Sequence, residues 1–330
     1  MKKQEMKFVV AAEQEGATVA AVLRIARPGL SWSEARRHIH ARRVRVGGVV
    51  CVDDTRRLRA GEDLELLGES ARPLPSVEQV DILYEDDAVL VVEKPAGMES
   101  ERRSEQRNWT KEKRQRQQSL VEALEAKGYE VFGVHRLDRD TSGLMVYART
   151  REAQQALIAQ FAAHSIERRY WAVAIGRAEG KTVRSWLVRD RGDGLRGSLE
   201  TTGEGAVAGA DGAEGTEGID EAEEAITHFA VVEYLLDGAF TVLDCRLETG
   251  KTHQIRIHLA EMGHPICGEK MYLRPAAGGD PVIDVSRAPR QALHACVLEF
   301  VHPDMGRTLR FDSPWPADLK RWLESIGQRR

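Results

Sequence analysis

Phe229-Ala230-Val231-Val232-Glu233-Tyr234 and, after a short break, Phe240-Thr241-Val242-Leu243-Asp244-Cys245-Arg246-Leu247 read as two β-strands in immediate succession, with no helical crossover between them. Further strand-like runs follow at 293–300 and 308–311. Others precede at 88–92, 143–147 and 170–175, the last two flanking a helix over about 151–164. Adjacent strands without regular crossovers favour an α+β fold with a mixed, mainly antiparallel central sheet over a doubly wound one.

Outward from that sheet, a chain of 330 residues is long enough for two domains. The stiff segment Arg72-Pro73-Leu74-Pro75-Ser76 divides it into 1–70 and 71–330. In the first part, Ser31-Trp32-Ser33-Glu34 has capping-box spacing and opens a helix carrying Arg36, Arg37 and His40. Residues 44–52 alternate around Gly47-Gly48 like a hairpin, so this is a small N-terminal α/β domain. In the second, the turn Lys94-Pro95-Ala96-Gly97 closes strand 88–92. Ser119-Leu120-Val121-Glu122 opens another capped helix, which Gly128 stops.

Composition is that of an ordinary globular chain, 42% hydrophobic and 30% charged, without the long apolar run of a membrane helix or secretory leader. A cytoplasmic protein without membrane association is expected. The four cysteines are far apart and lack a C-x-x-C pair, which argues against disulfides and a zinc ribbon; they read as small buried apolar residues. The net charge of −4 argues against nucleic-acid binding only until it is divided along the chain. Residues 200–225 hold nine acidic and no basic side chains among glycines and read as a flexible surface insertion; without those nine charges the rest stands at +5. Seven arginines crowd between Arg24 and Arg45 against the single acid Glu34, a candidate phosphate-contacting face in which Arg36, Arg37, Arg42, Arg43 and Arg45 are the expected RNA contacts. A second basic insertion, 99–118, surrounds Trp109 and reads equally well as solvated loop or RNA contact.

Two segments concentrate chemistry. His135-Arg136-Leu137-Asp138-Arg139-Asp140-Thr141-Ser142-Gly143-Leu144 puts carboxylates, guanidiniums and hydroxyls on one connection between strands. Thr249-Gly250-Lys251-Thr252-His253-Gln254-Ile255-Arg256-Ile257-His258 leaves a strand and enters a helix on which Arg256 shares a face with Thr252 and His253. In the bland reading, Asp138 and Asp140 pair with Arg136 and Arg139, and the histidines are satisfied interior groups. A metal reading fails on spacing, because His253 and His258 point to different faces. Asp140-Thr141-Ser142-Gly143 approximates an aspartic-protease loop, but that chemistry needs a second carboxylate and the sequence holds no second copy.

The first segment resembles the H-R-L-D-x-x-T-S-G-L signature of the RluA-type pseudouridine synthases. Residues 87–97 resemble that family's early strand and K-P-A-G turn, 167–176 its K-x-Y-x-A strand, 249–258 its T-G-R-T-H-Q-I-R-V-H segment, and 290–303 its R-x-x-L-H-A…F-x-H-P pattern. Residues 18–67 resemble, more loosely, the RNA-binding module named after ribosomal small-subunit protein four.

The resemblance implies an RNA uridine isomerase that needs no cofactor and no metal, because pseudouridine formation neither oxidises nor hydrolyses. Asp138 stands at the family's essential aspartate, as nucleophile or base; Arg256 at the arginine that pairs with it; Tyr170 at the tyrosine facing the uracil, the candidate for removing the carbon-5 proton. His135, Arg136, Thr141, Arg168, Lys251, His253 and Gln254 are the implied substrate-binding residues. Arg136 would prop the stack that the uridine vacates. Arg168 and Lys251 keep the family's charge but not its hydrogen-bond geometry. Large-subunit ribosomal RNA is the implied partner, with transfer RNA as an alternative and no obligate protein partner evident. A non-catalytic RNA-binding or ribosome-assembly protein is the reading from another class.

Overall fold

The computed structural model describes residues 6–41, 43–47, 49–51, 53–67, 77–101, 119–191, 195–199, 222–273 and 280–327. The chain divides into two compact units, Met1–Leu74 and Pro75–Arg330.

The first unit contains β1 (Met6–Val9), α1 (Val19–Ala26), α2 (Trp32–His40), β2 (Val44–Val46), β3 (Val49–Cys51) and β4 (Asp63–Leu66). Its sheet runs β1-β4-β2-β3, antiparallel throughout. Thr18 caps α1 by accepting from Ala21 N at 3.3 Å. The expected capping box forms at α2, where Ser31 Oγ accepts from Glu34 N at 3.2 Å and Glu34 Oε2 accepts from Ser31 N at 2.9 Å. Val19, Val22 and Leu23 of α1 and Ala35 and Ile39 of α2 recur at helical spacing and close a core with Val44, Val46, Leu64 and Leu66.

The second unit contains β5 (Asp81–Glu85), β6 (Val89–Lys94), α3 (Leu120–Ala126), β7 (Phe132–Gly133), β8 (Ser142–Ala148), α4 (Arg151–Ala162), β9 (Glu167–Ile175), β10 (Thr182–Val188), β11 (Gly197–Ser198), β12 (Glu223–Leu235), β13 (Phe240–Leu247), α5 (Gln254–Glu261), β14 (Leu293–Val301), β15 (Thr308–Asp312) and α6 (Ala317–Gly327). One sheet joins these strands in the order β11-β10-β12-β13-β9-β14-β8-β6-β5, with β15 on β14 and β7 on β8. β12 and β13, the successive strands read from sequence, pair antiparallel from Leu235↔Phe240 onward. Among the described residues only β14 and β8 run parallel, through His294↔Ser142 and Ala295↔Gly143, so the sheet is mixed and mainly antiparallel as expected.

The sheet is buried on both faces around β6 and β8, which is why these strands read as continuous apolar runs. Leu90, Val92, Met145 and Tyr147 face a core shared with Leu120 and Leu124 of α3 and Leu319 and Trp322 of α6. The alternate residues Val89, Val91, Leu144 and Val146 face a second core with Ala153 and Leu157 of α4. All four cysteines are free and buried, as their spacing suggested.

Three expectations are corrected. The acidic insertion ends earlier than read: Glu223, Glu224 and Ala225 belong to β12, where Glu223 pairs with Lys251 at 2.9 Å and Glu224 with Arg184 at 3.4 Å. The basic insertion starts later, because Glu99 O and Ser100 O accept from Leu120 N and Val121 N, and Ser100 is buried. Residues 102–118 and 200–221, with Trp109 among them, lie outside the described residues. Finally, β5 and β10 were not anticipated: every other residue along most of their length is exposed, so neither shows the apolar run that marks β6 or β8.

Candidate active site

Asp138 lies on the connection that enters β8, and several backbone groups around it are held. Leu137 N donates to Ser100 Oγ at 3.0 Å, while Ser100 Oγ donates to Leu137 O at 2.9 Å. Arg139 O accepts from Gly97 N at 2.7 Å and from Lys94 Nζ at 3.1 Å. Asp140 O accepts from Arg290 Nη1 at 3.1 Å, and Thr141 N closes the turn onto Asp138 O at 3.2 Å. The connection then passes Gly143 at φ +116°, where a Cβ would lie 2.2 Å from Ala295 O on the parallel neighbour β14. Only glycine permits that approach.

Lys94 anchors the turn that grips this loop. It is fully buried and also donates to Met98 O at 2.7 Å and Pro95 O at 3.1 Å. Burial pushes its pKa down to about 7, although three carbonyl acceptors suit the three donors of an ammonium.

Arg256, on the first turn of α5, donates from Nη1 to Asp138 Oδ2 at 3.1 Å. Its Nε and Nη2 donate to both oxygens of Glu269 at 2.8 Å, so one guanidinium bridges two carboxylates. Burial opposes the arginine's charge, but the Glu269 hydrogen bonds and the charges of Glu269 and Asp138 outweigh it and raise its pKa. Glu269 is buried as well, yet its bonds to Arg256 hold its carboxyl below the usual range. The chain after α5 delivers Glu269 by bridging Ile266 to Ala174 of β9 and passing Gly268 so close to Arg290 that a Cβ there would lie 2.2 Å from its carbonyl oxygen.

His253 precedes α5 instead of lying on it. It is the N-cap in the left-handed conformation (φ 62°), so Thr252 and His253 do not share a helical face with Arg256 as expected. The turn still brings His253 Nε2 to 3.7 Å from Asp138 Oδ1, while Nδ1 meets Tyr272 Oη at 2.7 Å. Burial pushes its pKa down to about 4, so at neutral pH it is an uncharged neighbour of Asp138. Tyr272 also underlies Arg256, 5.1 Å from ring centroid to guanidinium carbon.

Tyr170 on β9 is buried, and its hydroxyl is pushed up to about 12 by burial, with the Arg168 charge opposing and the Asp138 charge adding. Arg168 is buried over Phe161, donates Nη2 to Glu248 O at 3.1 Å, and leaves its Nε without a partner among the described residues. Arg136 is exposed, and Lys251 pairs with Glu223.

Other sequence-derived candidates are committed to structure. His135 stacks on Phe161 with ring centroids 4.8 Å apart and accepts from Val146 N at 3.0 Å; burial pushes its pKa down to about 3. Gln254 is saturated: Oε1 accepts from Thr249 Oγ1 and Lys251 N, and Nε2 donates to Ile226 O and Thr227 Oγ1. Thr141 is buried beside Gln291. These side chains shape the site's walls rather than offer free groups to a ligand, because interior polar atoms must find partners. The local pairing of Asp138 with Arg136 or Arg139 gives way to Arg256.

In the first unit the arginines separate into kinds. Arg36 and His40 pair with Asp54 at 3.2 and 3.1 Å, Arg45 with Glu65 at 3.7 Å, and Arg43 donates to Leu67 O at 3.1 Å. Arg37 and Arg27 are exposed, and with Arg43 they crowd His38, whose pKa is lowered by burial first and then by their charges. Arg42 lies outside the described residues. Among the described residues, no group of three or more His, Cys, Asp or Glu side chains is placed to hold a metal ion, and no helix is long and apolar enough to cross a membrane.

Sequence reading missed Glu269, Tyr272, Arg290 and Asp318 as parts of this site. No spacing rule ties Glu269 to an aspartate so far upstream, and only folding brings them to one guanidinium.

Comparison with known proteins shows the family to which the chain is similar. Residues 88–261 match the family model described as RNA pseudouridylate synthase. The chain is 36% identical over 267 residues to ribosomal large subunit pseudouridine synthase D of Xylella fastidiosa, covering 77% of this chain and 72% of that one. It is 31% identical over 316 residues to an uncharacterized RNA pseudouridine synthase of Synechocystis, covering 92% and 86%. Among solved structures, human RNA pseudouridylate synthase domain containing 1 superposes with a TM-score of 0.54 at 23% identity, covering 74% of this chain and 87% of that one, a likeness of fold.

Proposed function

The chain belongs to the RNA pseudouridylate synthase family, of the RluA type, and is an isomerase of RNA uridine; from that premise we propose that it acts in the cytoplasm on large-subunit ribosomal RNA, with Asp138 as its central catalytic group. The carrying observation is the Asp138–Arg256 pair at 3.1 Å on a loop whose backbone is held from two sides. The substrate follows the relatives named for the large ribosomal subunit.

The isomerisation breaks the bond from ribose C1′ to uracil N1, turns the base, and joins C1′ to C5; C5 loses a proton and N1 gains one. Asp138 attacks the sugar or removes a proton from it, and Arg256, fixed by Glu269, keeps the carboxylate oriented through both stages. Tyr170 takes the C5 proton. With its hydroxyl pushed up to about 12, it is a phenol at rest; it gives its own proton to the uracil N1 released from C1′ and, as a phenolate favoured by the neighbouring Arg168 charge, then accepts the C5 proton. Arg136, exposed beside Asp138 in the chain, fills the space left by the flipped uridine. The N-terminal unit anchors structured RNA through its arginines.

The test is carbodiimide mapping of pseudouridines in cellular RNA from a deletion strain rescued with wild type or Asp138→Ala. Large-subunit sites should vanish on deletion and return with wild type alone. Return with Asp138→Ala removes the catalytic role, and changes confined to transfer RNA replace the substrate.

A further inference from the structure

Trp32 is the first residue of α2 and is 46% exposed. It takes no part in the core that α1 and α2 close, whose packed aromatic partner is Phe8. The indole is nevertheless held in place. The Arg24 guanidinium carbon lies 4.2 Å from its ring centroid, and Arg24 Nε is tied to Leu30 O at 2.9 Å. The Ser31–Glu34 capping box fixes the helix turn that carries the ring. A large apolar side chain kept rigid and half open at a helix start, outside the core, is placed for a ligand with a flat apolar face.

The charge around it says which ligand. Arg27 and Arg37 are exposed, and with Arg43 they act on His38 of α2, whose pKa is lowered by burial first and then by their charges; the acid of that group, Glu34, is engaged in the capping box. Keeping like charges together costs free energy that an anion relieves. Arg36 and His40 are partly neutralised by Asp54, whereas Arg27 and Arg37 are exposed and in no ion pair among the described residues. A ring at the start of α2, with exposed guanidiniums on that helix and at the end of α1, matches a nucleotide, base on the indole and phosphate on the arginines.

We propose that Trp32, backed by Arg24, is a stacking platform for an unpaired RNA base, with Arg27 and Arg37 holding the adjoining phosphates. The base must be unpaired because both faces of a duplex base are occupied by its neighbours in the stack. This rests on the reading that the N-terminal unit binds RNA, and makes that unit selective for loops or single strands over plain helix.

The full-length protein is titrated against two RNAs of equal length, a hairpin with an unpaired loop and a blunt duplex. Trp32→Ala should lose roughly tenfold affinity for the hairpin and none for the duplex, as removal of one base-stacking aromatic does. Trp32→Phe should keep most of the hairpin affinity. Arg27→Glu with Arg37→Glu should weaken both RNAs and flatten the salt dependence. Because Trp32 lies outside the core, thermal melting should be unchanged in Trp32→Ala. Equal loss on both RNAs, or none on either, overturns the platform. A charge-reversed variant that binds both RNAs like wild type overturns instead the reading that this unit binds RNA through its arginines.

Discussion

Glu269 holds two of the three guanidinium nitrogens of Arg256 and leaves the third to Asp138, so one carboxylate sets the orientation of the arginine that the proposed catalytic carboxylate uses. Glu269→Gln keeps the size and one acceptor but removes the charge. It should lower kcat about tenfold or more with little change in KM in a tritium-release assay, since misplacing a catalytic group by a fraction of an ångström costs on that scale. An unchanged kcat would show that Asp138 alone suffices to hold the arginine. Lys94 gives a pH signature. Its folded-state pKa is pushed down to about 7 against an ordinary 10.5. Below 7 both folded and unfolded chains carry the proton; between 7 and 10.5 only the unfolded chain does. Stability from this group therefore grows as pH rises through that window, by about 1.4 kcal/mol per unit at most, and is lost as pH falls toward 7. Urea melts of wild type and Lys94→Met from neutral to alkaline pH should diverge accordingly. Parallel lines would mean that the three carbonyls keep the ammonium throughout. The Asp138 segment was legible as a chemical site because its residue types are dense along the chain. Glu269 was not, because its partners come from other elements.

At the scale of elements, the active loop is gripped from two directions. The turn after β6 holds Arg139 O through Lys94. Arg290, just before β14, holds Asp140 O and Ser142 Oγ, and is itself paired with both oxygens of Asp318 on α6 at 2.9 and 3.2 Å. The last helix thus supplies the counter-charge for a cation that holds the connection carrying Asp138. Asp318→Asn leaves a buried guanidinium unbalanced and should destabilise the fold by about 3 kcal/mol. It should also reduce kcat more than KM at temperatures where the variant remains folded, whereas a loss of stability with full kcat would mark the pair as structural alone. Helix starts were the most legible elements. Ser31 and Ser119 each cap where they stand, and both capping boxes form. The start of α5 was less so, because His253 enters it in a left-handed conformation, in contact with Tyr272 and near Asp138.

Across the whole molecule, each unit closes its own core, so the division of labour is open to direct test. Residues 75–330 alone should fold and isomerise a short RNA carrying the target uridine with a kcat near that of the full chain and a KM raised about tenfold or more. Loss of kcat with the same KM would place the first unit in catalysis rather than in RNA capture. What the amino-acid order determined unaided was what local spacing encodes: the strand succession of a mainly antiparallel sheet, the helix caps, the basic first unit hidden under a net charge of −4, and the two segments that meet at Asp138 and Arg256. Only the tertiary structure decided which charges pair. Asp138 turned from its neighbouring arginines to Arg256, Arg36 and Arg45 were taken by Asp54 and Glu65, and Glu269 and Asp318 entered the site from the far end of the chain. The reason is physical. Backbone conformation and amphipathic periodicity act over a few residues, whereas a buried charge takes the partner that packing sets beside it, at any distance along the sequence.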